Sequence, residues 1–298
     1  MKSTSSANWI LITGTSSGIG RAATFTLAEK GYRVLAAVRK QEDAESLLAE
    51  AGTRRVVEGV EPILLDVTDA GQIAAAVEIV RAKIAAGGRL HAIVNNAGAQ
   101  WPGPIETLPL ADWRRQFEVL FFGPIALTQQ FLPQLRASRG RVINVTSIGG
   151  IMPGPMIAAY QSAKAALEAV SDSMRIEFSP FGVYVSAIAP ASISTPMLTR
   201  SSEQLNRIAD GLPKNLQPFY ADALRAFAKT TVTADRFSIT PENASLTILQ
   251  AVSATRPRAH YLIGATAKVV AFMKRNLPDR WLDAITFRMM GLPRQVKS

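Results

Sequence analysis

Residues 160–164 read YQSAK, a phenol and an ammonium four positions apart with only small or neutral residues between them. On a helix, positions i and i+4 share a face, with Cβ atoms about 5–6 Å apart. A lone pair of this kind is a surface contact; it becomes chemistry when other groups converge on it. Ser147 stands thirteen residues before Tyr160, just beyond the apolar run RVINV at 141–145. Together a hydroxyl, a phenol and an ammonium can handle the proton that accompanies hydride movement at an oxygen-bearing carbon. Reduction of a carbonyl leaves an alkoxide that needs a proton, and the reverse reaction must remove one. Tyrosine, with an ordinary pKa of about 10, is a poor base near neutrality unless a nearby positive charge favours its phenolate. Lys164 has the spacing to supply that charge, and Ser147 would hydrogen-bond the substrate oxygen and polarise it.

A hydride carrier is signalled at the other end of the chain. The run TGTSSGIG at 13–20 follows the first apolar stretch and opens the first helical pattern. Its glycines, Gly14, Gly18 and Gly20, allow a tight turn and a close backbone approach to a pyrophosphate, with Ser16, Ser17 and Ile19 between them and a helix N-terminus behind. The spacing G-x-x-x-G-x-G differs by one residue from the G-x-G-x-x-G fingerprint. A second signal sits after the second apolar run, where Val38 is followed by Arg39 and Lys40 and the first acid is Glu42. A ribose 2′-hydroxyl calls for a carboxylate there, whereas a 2′-phosphate calls for cations. The expected cofactor is therefore NADP(H), with Arg39 as the main 2′-phosphate ligand.

The elements that must position these groups alternate along the chain. Short apolar runs at 9–13, 33–38, 61–66, 90–95, 141–145, 184–188 and 261–263 read as strands. Helical patterns fall between them, over 18–30, 42–51, 70–86, 110–136, 156–178 and 241–254. Strands apolar almost throughout imply a parallel sheet covered on both faces. Right-handed crossovers then give an α/β, doubly wound Rossmann-type fold with seven parallel strands. One domain spanning 1–298 is expected, with an insertion at 192–240 placed as a lid and a helical tail at 265–298.

Composition narrows the chemistry. The hydrophobic fraction of 48% with 19% charged residues suits a soluble globular chain. There is no cysteine, which removes disulfides and thiolate catalysis. With only His91 and His260, a histidine metal cluster or a Ser-His-Asp triad has no basis, and no metal site is expected. The N-terminal apolar run is too short for a signal peptide, and a cytoplasmic protein is expected. Of the net charge of +10, residues 256–298 carry +7, from nine Lys or Arg against two Asp. That tail reads as a solvated face, with an anionic membrane surface as the second reading; no nucleic-acid motif accompanies it.

Over roughly residues 7–265 the chain resembles the short-chain dehydrogenase/reductase family. The resemblance rests on TGxxxGxG at 13–20, Asp66-Val67, NNAG at 95–98, Ser147, YxxxK at 160–164 and PASIST at 190–195. It implies that Asp66 accepts from the adenine amino group while the Val67 backbone meets the ring, and that Asn96, Ala97 and Gly98 pack beside the adenosine ribose. It gives Lys164 the ribose hydroxyls, with Tyr160 alongside. Pro190, Ile193 and Thr195 are set at the nicotinamide, Thr195 donating to its carboxamide. Two positions depart from the family pattern. Leu120 stands where the family has an asparagine that helps a water link the lysine to solvent, so a weakened or rerouted proton relay is expected. Ala191 replaces a glycine, a smaller change. Leu120 also motivates a rival reading, a non-catalytic dinucleotide-binding sensor or scaffold.

The lid carries Met197, Leu198, Leu205, Ile208, Leu212, Leu216, Phe219, Tyr220 and Phe227, and Trp101, Met152 and Met156 lie near the catalytic strand ends. Such residues either line a site for a sizeable apolar substrate or pack on the domain. The tail resembles the retinol- and steroid-dehydrogenase-like branch of the family, which implies a lipophilic alcohol, ketone or aldehyde. Leu282, Ile285 and Met289 form one helical stripe, with Trp281 nearby, expected to pack on the domain or on a sister subunit. The helices at 110–136 and 156–178 are where relatives commonly pair, so a homo-oligomer is expected.

Overall fold

The computed structural model describes residues 7–235 and 238–290. Seven strands form one parallel sheet in the order β3-β2-β1-β4-β5-β6-β7. They are β1 (Asn8–Thr13), β2 (Arg33–Val38), β3 (Val60–Leu64), β4 (Arg89–Asn95), β5 (Arg141–Val145), β6 (Tyr184–Pro190) and β7 (His260–Ile263). The order reverses between β1 and β4, so the crevice where a dinucleotide binds in such sheets opens at the ends of these two strands.

Alternation along each strand sorts its side chains onto two cores. Ile10 and Ile12 of β1 face one side, with α1 (Gly18–Glu29), α2 (Gln41–Thr53) and α10 (Pro241–Ser253); Leu11 faces the other. That second side is covered by α3 (Ala70–Ala85), α5 (Gly123–Ser138) and α7 (Ala158–Phe178). Phe131, Leu127, Leu90 and Ile93 are fully buried there, and each contributes about 1.5–3 kcal/mol by leaving water.

Most expected elements are present, with instructive differences. β3 stops at Leu64 because Asp66 takes the chain into a turn: its Oδ1 accepts the Thr68 N–H at 2.9 Å, and its own N–H goes to Gln72 at 2.7 Å. α7 begins at Ala158, since Met156 has φ +68°, a left-handed conformation that no helix continues through. A one-turn helix, α6 (Ile148–Ile151), precedes it and was not foreseen. The helix expected over 110–136 is α4 (Leu110–Phe117), a wide π turn at Glu118–Phe122, and then α5. Arg141, first in β5, is 8% exposed, and its guanidinium donates to the Ala251, Val252 and Ala254 carbonyls at the end of α10. A cation on those orphan carbonyls suits the negative end of the helix dipole.

The insertion folds as α8 (Pro196–Gly211) and α9 (Gln217–Asp235), and the tail as α11 (Ala265–Asn276) and α12 (Asp279–Met290). In α12, Leu282 is buried but Met289 is 69% exposed. Met290 instead packs against the lid cluster, so the expected stripe holds at Leu282 and half-buried Ile285 and moves on by one residue at its end. Residues 291–298 of the expected tail lie outside the described residues. Among the described residues no helix is long and apolar enough to cross a membrane.

Candidate active site

The loop between β1 and α1 is held from β4. Thr13 Oγ1 accepts the Asn96 and Ala97 amides, each at 3.0 Å, while Asn96 Nδ2 donates to the Thr13 and Gly14 carbonyls at 2.9 and 3.1 Å. Asn96 thus clamps the glycine loop, a role its expected place beside the ribose did not reveal. Gly14 has φ +70° and approaches Ala97 so closely that a Cβ would stand 2.6 Å from the Ala97 Cα. At Gly18, a Cβ would meet Thr195 Cγ2 at 3.0 Å, which brings the PASIST segment against the loop. Arg21, overlooked in the sequence, donates to the Ser16 carbonyl at 3.3 Å and pairs with Glu50 at 2.8 Å, bracing the turn from α2. Ser17 enters α1 in an extended conformation without capping it, and the first turn holds no acid. The positive end of the helix is left to an anion, so the loop fits a pyrophosphate. Ile19 packs against the first core.

At the edge of the crevice, Arg39 is 72% exposed and 4.0 Å from Asp66 Oδ2. An exposed pair at this distance is worth about 0–1 kcal/mol, so the guanidinium is readily turned to a phosphate. Lys40 is exposed beside it. The Asp66 Oδ1 atom is occupied by Thr68 N and Oγ1, at 2.9 and 2.8 Å. Val67 is buried, pressed by Gly123, where a Cβ would lie 2.8 Å from Val67 Cγ2.

Across the crevice, β5 and α7 bring Ser147, Tyr160 and Lys164 together. Ser147 caps α6 by accepting the Gly149 N–H at 3.1 Å, and its side chain bears on the Tyr160 phenol. Lys164, 4% exposed, donates to the Val145 carbonyl at 2.6 Å, and its Nζ lies 5.9 Å from the centre of the Tyr160 ring. One expectation is reversed. Burial pushes the phenol above its ordinary value, opposed only by Ser147. Lys164 is desolvated as well: burial pulls its ammonium down to about 8, with Glu168 acting the other way. Leu120 sits fully buried on the π turn, and its Cδ2 would lie 3.6 Å from a Cβ at Gly98.

Pro190 ends β6, and Ala191 continues the sheet by donating to the Ile263 carbonyl at 3.1 Å. Ile193 is buried and bridges Ile239. Thr195 precedes α8 and lines a space of about 430 Å³ with Ser194, Pro196, Thr199 and Arg200. The lid's apolar residues divide. Leu205, Leu212 and Phe227 are spent packing α8 on α9, with Leu224. Ile208, which also flanks that cluster, reaches a cavity of about 400 Å³ with Trp101, Pro102, Leu108 and Pro109, whose polar side is Thr107, Asp112, Gln204 and Arg207. Tyr220 fastens α9 to the loop after β4 by donating to Glu106 at 2.6 Å.

A doubly wound parallel sheet with a glycine turn at its switch point and a Ser–Tyr–Lys group facing it defines a dinucleotide-dependent class of protein. Comparison with known proteins makes the assignment finer. Residues 8–206 match the short chain dehydrogenase family. The chain is 34% identical to mouse retinol dehydrogenase 5 over 297 residues, covering 96% of this chain and 90% of that one. It is 30% identical to the NADPH-dependent 3-dehydrocapnine reductase of Ornithobacterium rhinotracheale over 285 residues, covering 94% and 96%. A short-chain dehydrogenase structure from Streptomyces avermitilis superposes with a TM-score of 0.75 at 27% identity, covering 98% of this chain and all of that one. The chain belongs to the short-chain dehydrogenase/reductase family, and it is an oxidoreductase.

Proposed function

We propose that this chain is an NADP(H)-dependent oxidoreductase that interconverts a lipophilic alcohol with its ketone or aldehyde, with Tyr160 as general acid and base. The observation that carries the reading is the convergence of Ser147, Tyr160 and buried Lys164 on one side of a crevice whose other side is the clamped glycine loop. The bound nicotinamide supplies or accepts the hydride. Ser147 holds the substrate oxygen and polarises it. Tyr160, whose burial keeps it a phenol, delivers its proton to the oxygen as negative charge develops there. In the oxidative direction it takes that proton back, helped by the ammonium of Lys164. Such positioned proton transfer contributes roughly 10²–10⁴-fold.

The choice of NADP(H) is supported by exposed Arg39 and Lys40 at the end of β2, and by the relative whose name specifies NADPH. A lipophilic substrate is supported by Trp101, Pro102, Leu108 and Ile208 under the lid, and by the likeness to retinol dehydrogenase 5. We place self-association on the long helices, where Phe122 and Ile176 are exposed.

Absorbance at 340 nm, followed with NADPH and then NADH against a panel of apolar ketones and aldehydes, tests the proposal. Turnover with NADPH is expected, and Tyr160→Phe should abolish it while NADPH still binds. Binding without turnover across the panel would favour the sensor or scaffold reading that Leu120 motivates. Loss of binding together with turnover in Tyr160→Phe would make that tyrosine a structural residue.

A further inference from the structure

Behind Lys164 lies a group of polar side chains that the reaction, as described, does not use. Glu168, one turn further along α7, has only 15% of its side chain exposed, yet both its oxygens are held. Oε1 faces the Thr146 hydroxyl and Oε2 lies 3.3 Å from His260 Nδ1. His260 Nε2 in turn is 3.1 Å from Asp172 Oδ1, one turn beyond Glu168, and Asp172 is paired with Arg175 at 3.1 Å.

The Thr146 hydroxyl has one hydrogen and two acceptors in reach, Glu168 Oε1 and the Ile188 carbonyl at 2.9 Å. The Ile188 carbonyl already accepts the Thr146 N–H at 2.8 Å. Either acceptor can take that hydrogen, and in both cases the hydroxyl lies against Glu168 Oε1 and ties that oxygen to the sheet. His260 adds a donor when its Nδ1 carries hydrogen. A carboxylate is thus fixed in place, from the sheet side by Thr146 and from β7 by His260, one helical turn from the buried ammonium.

We propose that Glu168 is the positioning residue that keeps Lys164 in its ammonium form, with Thr146 and His260 holding its carboxylate in place for that task. The side chain at position 120 contributes nothing polar, since Leu120 is apolar and fully buried. Burial works against the Lys164 charge, and Glu168 is the charged group that counters it. The other groups that bear on the pair are Tyr160 and Asp172 on the same helix, His260 from β7, and Arg175 through Asp172. α6, packed against this part of α7, reads IGGI and carries no charge. The importance of that ammonium to turnover rests on the proposed function; its dependence on Glu168 does not.

The test reads Lys164 directly, on the full-length protein with 13C at the lysine ε-carbons. Its resonance is identified by its loss in Lys164→Arg and titrated from pH 6 to 10. In the unsubstituted protein the midpoint is expected at about 8. Glu168→Gln keeps the shape and an acceptor for Thr146 but loses the charge. It should move the midpoint down by about one unit, the lower end of what a nearby opposite charge supplies. Glu168→Asp should restore part of that shift, and Asp172→Asn should leave the midpoint in place. With any substrate that turns over, the alkaline limb of kcat/KM for reduction should move with the resonance. A midpoint unmoved in Glu168→Gln, or moved equally by Asp172→Asn, overturns the inference. Because the resonance needs no turnover, an inactive protein with the expected shift would refute the proposed function alone.

Discussion

Adding one methyl group at Gly20 puts the clamped loop to a quantitative test. A Cβ there would lie 2.4 Å from the Gly14 carbonyl oxygen and 2.4 Å from Asn96 Nδ2, about 1 Å inside ordinary contact. The carbonyl is backbone and cannot swing aside. The Asn96 amide can move only by giving up its bonds to the Thr13 and Gly14 carbonyls. Forcing a methyl group into a packed site costs about 1–3 kcal/mol, and each lost hydrogen bond about 0.5–1.5 kcal/mol net. Gly20→Ala should therefore destabilise the protein by about 2–6 kcal/mol, a large share of a typical stability of about 5–15 kcal/mol. Urea unfolding should show a lower midpoint at unchanged slope, and a fluorescence titration should show weakened NADPH binding. Asn96→Ala should cost only the hydrogen-bond part. In the double variant one of the two clashes is gone, so its loss should be smaller than the sum of the single ones. An unshifted midpoint in Gly20→Ala, or strict additivity in the double variant, would refute the reasoning.

Two further substitutions probe charge at the edge of the crevice and in the core. Arg39→Ala should weaken NADPH binding by about tenfold or more, the scale of one charge-assisted hydrogen bond, while NADH binding stays nearly constant; equal loss for both would remove Arg39 from the 2′-phosphate. Arg141→Met keeps the apolar volume but strips the donors from three carbonyls at the end of α10. It should cost about 2–4 kcal/mol in urea unfolding, and a change under 0.5 kcal/mol would show that water replaces the guanidinium there.

The sheet and the placement of the candidate site were legible because each depends on local pattern. Apolar runs bounded by turn residues gave all seven strands to within a few residues, and the glycine spacing with YxxxK located both sides of the crevice. What escaped depends on packing between segments far apart in the chain. Arg141 reaches carbonyls at 251–254, and Glu168 meets His260 across 92 positions; neither leaves a periodic trace. The sign of the Tyr160 shift was missed for the same reason: spacing reports the neighbouring ammonium but not how deeply both groups are buried. The lid's apolar residues left open a substrate lining or packing on the domain, whereas Leu205, Leu212 and Phe227 pair its two helices with each other. Apolar spacing cannot tell which neighbour a helix face will meet.

The wide turn at Glu118–Phe122 carries an extra residue within an otherwise continuous helix. An α-helical residue advances the angle by about 100°, and the wide turn absorbs its surplus residue by a smaller step per residue. Gln116, which ties Trp101 and Ala99 of the crevice rim, therefore keeps its phase with Leu127 and Phe131, which seal the sheet. Losing one residue there lets the turn tighten to the ordinary α form with that phase kept, whereas gaining one needs a second bulge or swings the rim off the sheet. Single-codon deletions between 118 and 122 should accordingly outlast insertions in any library selected for folding.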